Sequence, residues 1–296
     1  METEPGHESV LLEEALRLLV TDRDGTYLDA TVGAGGHSEG ILRRISAQGN
    51  LVGTDMDPEA LQAAEVRLRP FAGRFRLVHA NFRTLSQVLT AAQSGKLAGA
   101  LFDLGVSSLQ LDKASRGFSL LREGPLDMRL DPGSPLTAGR IVNEWPAEQL
   151  ELLFREYGEE RQAGLIARLI VERRAKQPLS TTLELANLIS ARLRRTGRIH
   201  PATRTFMALR IAVNQELENL TRGLEAVVSF LRPGGRLAVI SFHSLEDRIV
   251  KNVFKSFVDH GWCIPVTQSP VCPGPEEMDR NPRARSAKLR SVEKRP

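Results

Sequence analysis

A glycine-rich turn with a carboxylate on each side is the part of this sequence best suited to chemistry. Asp29 precedes Gly33, Gly35 and Gly36, and Asp55 comes 22 positions after Gly33, at the end of the next apolar run. Glycine lets backbone approach a ligand where a Cβ would collide, and the helix that follows presents unpaired N–H groups there. A carboxylate at the tip of the neighbouring strand can accept hydrogen bonds from both ribose hydroxyls. The spacing predicts a nucleotide-cofactor pocket, although a lone turn of this kind would indicate only a tight strand-to-helix connection.

The identity of the nucleotide depends on Ser38 and Asp29. The dinucleotide fingerprint requires a third glycine where Ser38 stands, so an NAD-linked oxidoreductase is disfavoured. Asp29 ends a strand, where its carboxylate can face the ammonium group of a nucleoside that carries an amino acid. S-adenosylmethionine is such a ligand, and its own carboxylate suits a helix N-terminus. The sequence therefore favours S-adenosylmethionine as the cofactor.

A second group of polar residues follows the fourth predicted strand, where Asp103 precedes Gly105 and Ser107. Methyl transfer to nitrogen is a displacement at a sulfonium, already a strong electrophile, so the protein chiefly has to align the two partners. An exocyclic amine also needs an acceptor for its N–H, and Asp103, alone or with Ser107, could be that catalytic acceptor. An equally weighted interpretation makes Asp103 only a helix cap or a cofactor ligand.

Three residues with ring side chains lie at or after the ends of other predicted strands. Phe82 is placed to pack on adenine or, alternatively, in the core, and Phe242 to stack on a flipped base. His37 could contact the ligand through its ring or only through its backbone N–H. Ser244 with Asp247 fits a helix N-cap followed by an acidic first turn.

Short apolar runs alternate with helical patterns over the first hundred residues. Strands are predicted at 27–31, 51–55, 75–79 and 98–104, with helices between them at 38–48, 58–68 and 84–93. Further helices are predicted at 147–157, 159–176, 182–195 and 203–231, followed by strands at 236–242 and, at a sheet edge, 286–292. Such βαβ alternation predicts an α/β fold with a mostly parallel sheet.

No convincing strand occurs between 106 and 201, which predicts a helical domain inserted into the α/β domain. The expected division is 1–107 for the first part of the cofactor-binding domain, 108–201 for the insertion and 202–296 for the second part. Ligands of open α/β sheets bind at the carboxyl ends of the strands, so the insertion is expected to overhang the pocket.

The net charge of +4 is unevenly distributed. Residues 161–210 carry eleven basic and two acidic side chains, a net +9, and seven more basic side chains lie between 280 and 295. Either cluster alone could be a solvated face, but together beside a nucleotide pocket they favour a polyanionic partner such as nucleic acid. Arg204, Arg283 and Arg285 are the candidate phosphate contacts, or else structural ion-pair partners.

Membrane, export and metal functions are disfavoured by composition. No apolar run approaches the ~18 residues of a membrane span, and residues 1–4 lack the features of an export signal, so a cytoplasmic location is expected. Cys263 and Cys272 have no companion Cys or clustered His, which predicts neither a disulfide framework nor a metal site.

Longer motifs extend over almost the whole chain. They are residues 7–12 (HESVLL), 35–38 (GGHS), 103–108 (DLGVSS), 116–119 (RGFS), 124–129 (GPLDMR), 157–160 (YGEE), 200–206 (HPATRTF), 241–248 (SFHSLEDR) and 281–286 (NPRARS). In these motifs the chain resembles the bacterial 16S ribosomal RNA (cytosine-N4)-methyltransferase family.

The resemblance implies a Rossmann-like class I methyltransferase that uses S-adenosylmethionine to methylate N4 of a decoding-centre cytosine. It implies 16S ribosomal RNA, or the small ribosomal subunit, as partner and the helical insertion as the region that recognises it. The cofactor residues it implies are Gly35, Gly36, His37, Asp55, Phe82, Asp103 and Gln110, of which Gln110 comes from the resemblance alone. A non-catalytic RNA-binding or assembly factor on the same scaffold is the alternative, and a homodimer is left open.

Overall fold

The computed structural model describes residues 9–89, 95–193 and 200–296. The chain divides into two compact units. Met1–Ser107 and Leu217–Pro296 form one, here called the sheet unit, and Ser108–Glu216 form the other, here called the inserted unit. The second boundary therefore follows residue 216 rather than the expected 201, because the helix that starts at Thr203 packs on helices of the inserted unit.

The sheet unit is built on one seven-stranded sheet. Its strands are β1 (Thr26–Asp29), β2 (Asn50–Asp55), β3 (Phe75–His79), β4 (Leu97–Asp103), β5 (Leu231–Ser241), β6 (Cys263–Pro265) and β7 (Lys288–Lys294). The spatial order is β3-β2-β1-β4-β5-β7-β6, with β1 to β5 paired in parallel and β7 antiparallel to both neighbours. The order reverses direction between β1 and β4, and in open α/β sheets such a switch point opens the ligand crevice. The predicted α/β fold with a mostly parallel sheet is confirmed.

Helices cover both faces of this sheet. In the sheet unit they are α1 (Leu12–Leu19), α2 (Gly36–Arg44), α3 (Pro58–Leu68), α4 (Leu85–Val88), α11 (Glu216–Val227, from its second residue), α12 (Ser244–Asp259) and α13 (Pro275–Arg280). Neighbouring strand residues point to opposite faces, so Tyr27 packs in the core with α1 and α2, whereas Leu28 packs in the core with α11 and α12. Both side chains are fully buried, which places β1 in the centre of the structure.

The inserted unit is helical over its described residues. It contains α5 (Ser108–Asp112), α6 (Ala138–Glu144), α7 (Ala147–Glu156), α8 (Ala163–Arg174), α9 (Thr182–Ser190) and α10 (Thr203–Asn214). Thr181 begins α9 with a capping box that includes Glu184. The last residues predicted for helices 84–93 and 182–195 fall partly outside the described residues.

The predicted single helix over 203–231 is wrong. The chain breaks it at Gln215, whose φ of 51° is left-handed, so that α10 and α11 are separate helices. Asn214 explains the break, because its side chain accepts a hydrogen bond from Leu130 N and donates one to Met128 O. These contacts hold the end of α10 against the loop at 128–130.

Two smaller expectations at the carboxyl side are also corrected. The predicted edge strand forms as β7 but lies inside the sheet, and β6 is the edge. The N-cap of α12 is His243 rather than Ser244, and it accepts a hydrogen bond from Glu246 N. Asp247 lies in the first turn of α12, as predicted, and it also pairs with Lys288 and Arg290, at 2.9 and 2.7 Å, which ties α12 to β7.

Within the described ranges, no helix is both long and apolar enough to cross a membrane.

Candidate active site

The glycine-rich turn connects β1 to α2 beside the switch point of the sheet. Gly33 and Gly35 have φ values of 53° and 84°, a region that L side chains rarely adopt. A Cβ on Gly33 would meet nothing closer than 4.0 Å, whereas one on Gly35 would lie 3.3 Å from Ala64. The turn therefore combines open space at Gly33 with close helix packing at Gly35.

Asp55 is joined to this turn at the tip of β2. Its two carboxylate oxygens accept backbone hydrogen bonds, one from Gly33 N at 2.8 Å and one from Asp57 N at 2.9 Å. Burial raises the pKa of Asp55 to about 6, against the lowering effect of those two N–H groups. Each oxygen keeps a further lone pair, so the carboxylate can still accept hydroxyl donors.

Asp29 does not have the role expected from its position. Its side chain is fully buried, and its oxygens accept hydrogen bonds from Ser38 Oγ at 2.6 Å and Thr31 N at 3.1 Å. The expectation that this carboxylate faces the ammonium group of a ligand is therefore wrong. Ser38 stands where a dinucleotide site has glycine, and here its hydroxyl closes the turn onto Asp29.

Asp103 ends β4, next to β1, and carries the most informative side chain of the site. Its backbone N donates to Thr31 Oγ1 at 2.6 Å, which joins the ends of β4 and β1. Oδ2 lies 3.3 Å from His37 Nδ1. Oδ1 is buried and has no hydrogen-bond partner among the described residues. A buried carboxylate oxygen without a donor is costly, so this atom suits a ligand that brings an N–H or O–H group.

The ring of His37 is turned into the protein. The residue is 4 % exposed, and Nε2 lies 3.1 Å from Val10 O while Nδ1 faces Asp103. Both ring nitrogens therefore already have protein partners, which favours the backbone alternative. A backbone N–H in the first turn of α2 remains the part of His37 that can bind a ligand.

The two predicted stacking residues are half-buried. Phe82 packs edge-on against Phe102, with ring centroids 5.8 Å apart, and lies against the helix position of Gly223. Phe242 lies near Gly105, and its backbone N donates to Glu246 Oε2 at 2.8 Å. Core packing accounts for one side of each ring, and stacking on adenine or on a base stays a prediction.

The remaining predicted residues are distributed over both units. Ser107 is the last residue of the sheet unit, whereas Gln110 is buried in α5 of the inserted unit. Arg204 is exposed on α10 and donates to Glu159 O at 3.1 Å. Arg283 and Arg285 are exposed in a 3₁₀ turn at Pro282–Ser286. Their roles as catalytic, cofactor or phosphate contacts stay predictions.

Part of the basic charge has a structural role. Arg174 donates to Val142 O and Trp145 O, both at 2.7 Å, and so caps the end of α6. Arg210 forms a two-bond pair with Glu216. The exposed cations in the described part of 161–210 are Arg161, Arg168, Lys176, Arg192 and Arg204.

Sequence reasoning missed three groups that the structure brings to the site. The hydroxyl of Thr31 contacts Asp103, and the carbonyl of Val10 contacts His37. Glu277 accepts a hydrogen bond from Leu11 N at 2.7 Å. Val10 lies in a motif that carried the resemblance, which is a signal that the segment matters. Glu277 had no such signal.

Comparison with known proteins decides the family, because the profile of the MraW methylase family matches residues 4–295. The chain belongs to the MraW methylase family. Curated relatives named ribosomal RNA small subunit methyltransferase H include one from Trichlorobacter lovleyi, 49 % identical over 97 % of this chain and 98 % of that protein. Another, from Heliobacterium mobile, is 48 % identical with the same coverage of both chains. This methylase family and the sheet order confirm the predicted Rossmann-like class I methyltransferase fold.

Proposed function

We propose that this chain transfers a methyl group from S-adenosylmethionine to N4 of a decoding-centre cytosine in 16S ribosomal RNA. The observation that carries the proposal is Asp103 Oδ1, which is buried beside the glycine-rich turn of a methylase-family fold and has no hydrogen-bond partner in the described part of the chain. Curated relatives of similar length are named as methyltransferases of the small-subunit ribosomal RNA. A cytoplasmic location is part of this proposal, and action on that RNA supports it.

The residues of the turn fit the cofactor. Gly33 leaves open space where a side chain would project, and Asp55 has lone pairs left for the two ribose hydroxyls. First-turn N–H groups of α2, at Gly36 and His37, suit the carboxylate of the methionine part. We assign cofactor binding to these residues together with Gly35, Phe82, Asp103 and Gln110.

The chemistry requires little beyond alignment and an acceptor. When bound, S-adenosylmethionine would supply an electrophilic methyl group, and its sulfur would keep the electron pair of the C–S bond. Asp103 would accept the hydrogen bond of the N4 amine through Oδ1, which directs the lone pair towards the methyl group, and would take the proton that N4 loses as its bond to the methyl carbon forms. Ser107 follows on the same loop and is the second candidate in this step. Orientation of two reactants is worth several kcal/mol in such a transfer.

The pKa of Asp55 gives a prediction for cofactor binding. If ribose hydroxyls donate to the carboxylate, the anion is the binding form, and affinity is lost as the pH falls through the pKa of about 6. The dissociation constant for S-adenosylmethionine is then expected to rise about tenfold between pH 7 and pH 5. Titration calorimetry across this range measures it, and Asp55→Asn, which cannot titrate, should remove the dependence. A flat profile in the unsubstituted protein would contradict the assignment.

RNA binding is assigned to exposed cations of the inserted unit, with Arg204 as the first candidate, and to Arg283 and Arg285 in the sheet unit. Each phosphate contact contributes to affinity through counterion release, so affinity depends on salt. Arg204→Ala is expected to lower the slope of log K against log salt by about 1. Arg174→Ala is the matched comparison, since Arg174 caps α6 and its loss should lower the Tm with the slope unchanged. Equal slopes for Arg204→Ala and the parent chain would exclude a phosphate contact at Arg204.

The function is tested by methyl transfer to small ribosomal subunits from cells that lack this protein. Labelled S-adenosylmethionine is the donor, and the modified nucleoside is identified by mass. Label in N4-methylcytidine is the expected result. RNA retention without label, from protein that binds the cofactor, would favour the non-catalytic assembly factor instead.

A further inference from the structure

The imidazole of His37 lies between the carbonyl group of Val10 and the carboxyl group of Asp103. The carbonyl can only accept hydrogen bonds, and so can the carboxyl group when it is ionised. Nε2 is 3.1 Å from the carbonyl oxygen of Val10, so Nε2 must carry a hydrogen. Nδ1 is 3.3 Å from Asp103 Oδ2. A neutral ring has only one N–H, and its other nitrogen would turn a lone pair towards the carboxylate. Beside an ionised Asp103, the geometry therefore requires a doubly protonated ring.

The surrounding charges agree with this protonation state. Burial alone lowers the pKa of His37, but the carboxylates of Asp103 and Asp29 and the Val10 carbonyl raise it, with a raised pKa as the net result. Asp103 comes from β4, Asp29 from β1 and Val10 from the segment before α1. These are the charged and polar groups that act on the ring from the elements around it.

The carbonyl that fixes Nε2 is itself held in place from the other side. In the peptide group between Val10 and Leu11, the oxygen accepts a hydrogen bond from His37 Nε2. The N–H of the same group donates to Glu277 Oε1 at 2.7 Å. Glu277 belongs to α13, far along the chain. Leu11 has a φ of 51°, so this peptide is oriented by a backbone conformation that leucine rarely adopts. The two hydrogen bonds stabilise that conformation.

We infer that His37 is a positioning residue for methyl transfer, which holds Oδ2 of the ionised Asp103 and thereby presents Oδ1 to an N–H of the ligand. The inference rests on the proposed function for its consequence but not for its geometry. Glu277 supports the same arrangement through the Val10–Leu11 peptide.

The protonation state is tested by NMR on protein with ¹⁵N-labelled histidine. The chain has six histidines, and His37→Gln identifies the signals of His37 by their loss. Both ring nitrogens of His37 are expected to show imidazolium shifts at pH 7, because the neighbouring carboxylates raise the pKa of this ring. In Asp103→Asn the ring is expected to become neutral at pH 7. A neutral His37 ring at pH 7 in the unsubstituted protein would overturn the inference.

The positioning role is tested by steady-state kinetics with ribosomal subunits. His37→Gln keeps a donor but has no charge, and we expect it to lower kcat/KM at least tenfold, whereas His260→Gln is the matched control. A lower kcat identifies the ligand donor as the substrate amine, and a higher KM for S-adenosylmethionine identifies it as the cofactor ammonium; both support the inference. Glu277→Gln should give a smaller loss of the same kind.

Two results separate failure of this inference from failure of the proposed function. If the parent chain methylates RNA and His37→Gln matches His260→Gln, the positioning role is wrong. If the parent chain transfers no methyl group, the proposed function is wrong, and the NMR titration alone decides whether His37 holds Asp103.

Discussion

Asp103→Asn is expected to lower the rate of methyl transfer about 100-fold or more, with the fold intact. Asparagine has the same size and can keep the contact with Thr31 Oγ1, which involves the backbone of this residue. It loses the negative charge that pairs with His37 and that makes Oδ1 a strong acceptor. Single-turnover rates at saturating S-adenosylmethionine measure the effect on the transfer step, and calorimetry measures cofactor affinity separately.

Asp259→Asn is a suitable control for this substitution, because it removes an exposed carboxylate at the end of α12. It should transfer methyl groups at the parent rate. If Asp103→Asn also keeps the parent rate at saturating cofactor and only binds the cofactor more weakly, Asp103 is a cofactor ligand and not the acceptor of the N4 proton.

Gly124→Ala is expected to destabilise the inserted unit by about 3 kcal/mol, with a fall in Tm on the order of 10 °C. An added Cβ would lie 1.8 Å from the carbonyl oxygen of Ala114 and 2.8 Å from its carbon. Gly124 is also held by two hydrogen bonds, from its N to Thr182 Oγ1 at 3.1 Å and from Thr182 N to its oxygen at 2.9 Å. The backbone therefore cannot move away without loss of the contact with α9.

Thermal unfolding followed by circular dichroism checks this prediction. Gly274→Ala is the matched control, since a Cβ there meets nothing within 4 Å. An equal Tm for the two variants would show that the Ala114 segment moves aside at little cost. Gly124 is also the first residue of the motif at 124–129, one of those on which the family resemblance rests.

Local pattern was sufficient for the five parallel strands of the sheet and for the position of Asp55. The four early strands are short apolar runs between helical patterns, and their ends must meet at one sheet edge once they pair in parallel. Asp55 therefore had to lie beside the turn at Gly33. Pro58–Leu68 formed as predicted, because Asp57 caps it and proline occupies its first position.

Tertiary contacts account for what the pattern could not predict. The apolar period continues through 203–231, so only the contact of Asn214 with Met128 and Leu130 shows where the helix breaks. The sequence identifies Ser38 as a missing glycine but does not show that its hydroxyl donates to Asp29, so it does not show that Asp29 already has a partner. Hydrogen bonds between residues remote in sequence leave no periodic signal in either segment.

The hydrogen bond between Leu11 and Glu277 joins a segment made early in translation to one made late. The strands β1 to β4 and the glycine-rich turn are made first, whereas β5, β7 and Glu277 follow only after the inserted unit. Leu11 N can bond Glu277 only when α13 has left the exit tunnel. A nascent chain thus has the cofactor turn and the Val10–Leu11 peptide before it has Glu277, which holds that peptide in place for His37. The ribosome that translates this protein contains the RNA it is proposed to modify, and on this account full activity arises only once α13 has emerged.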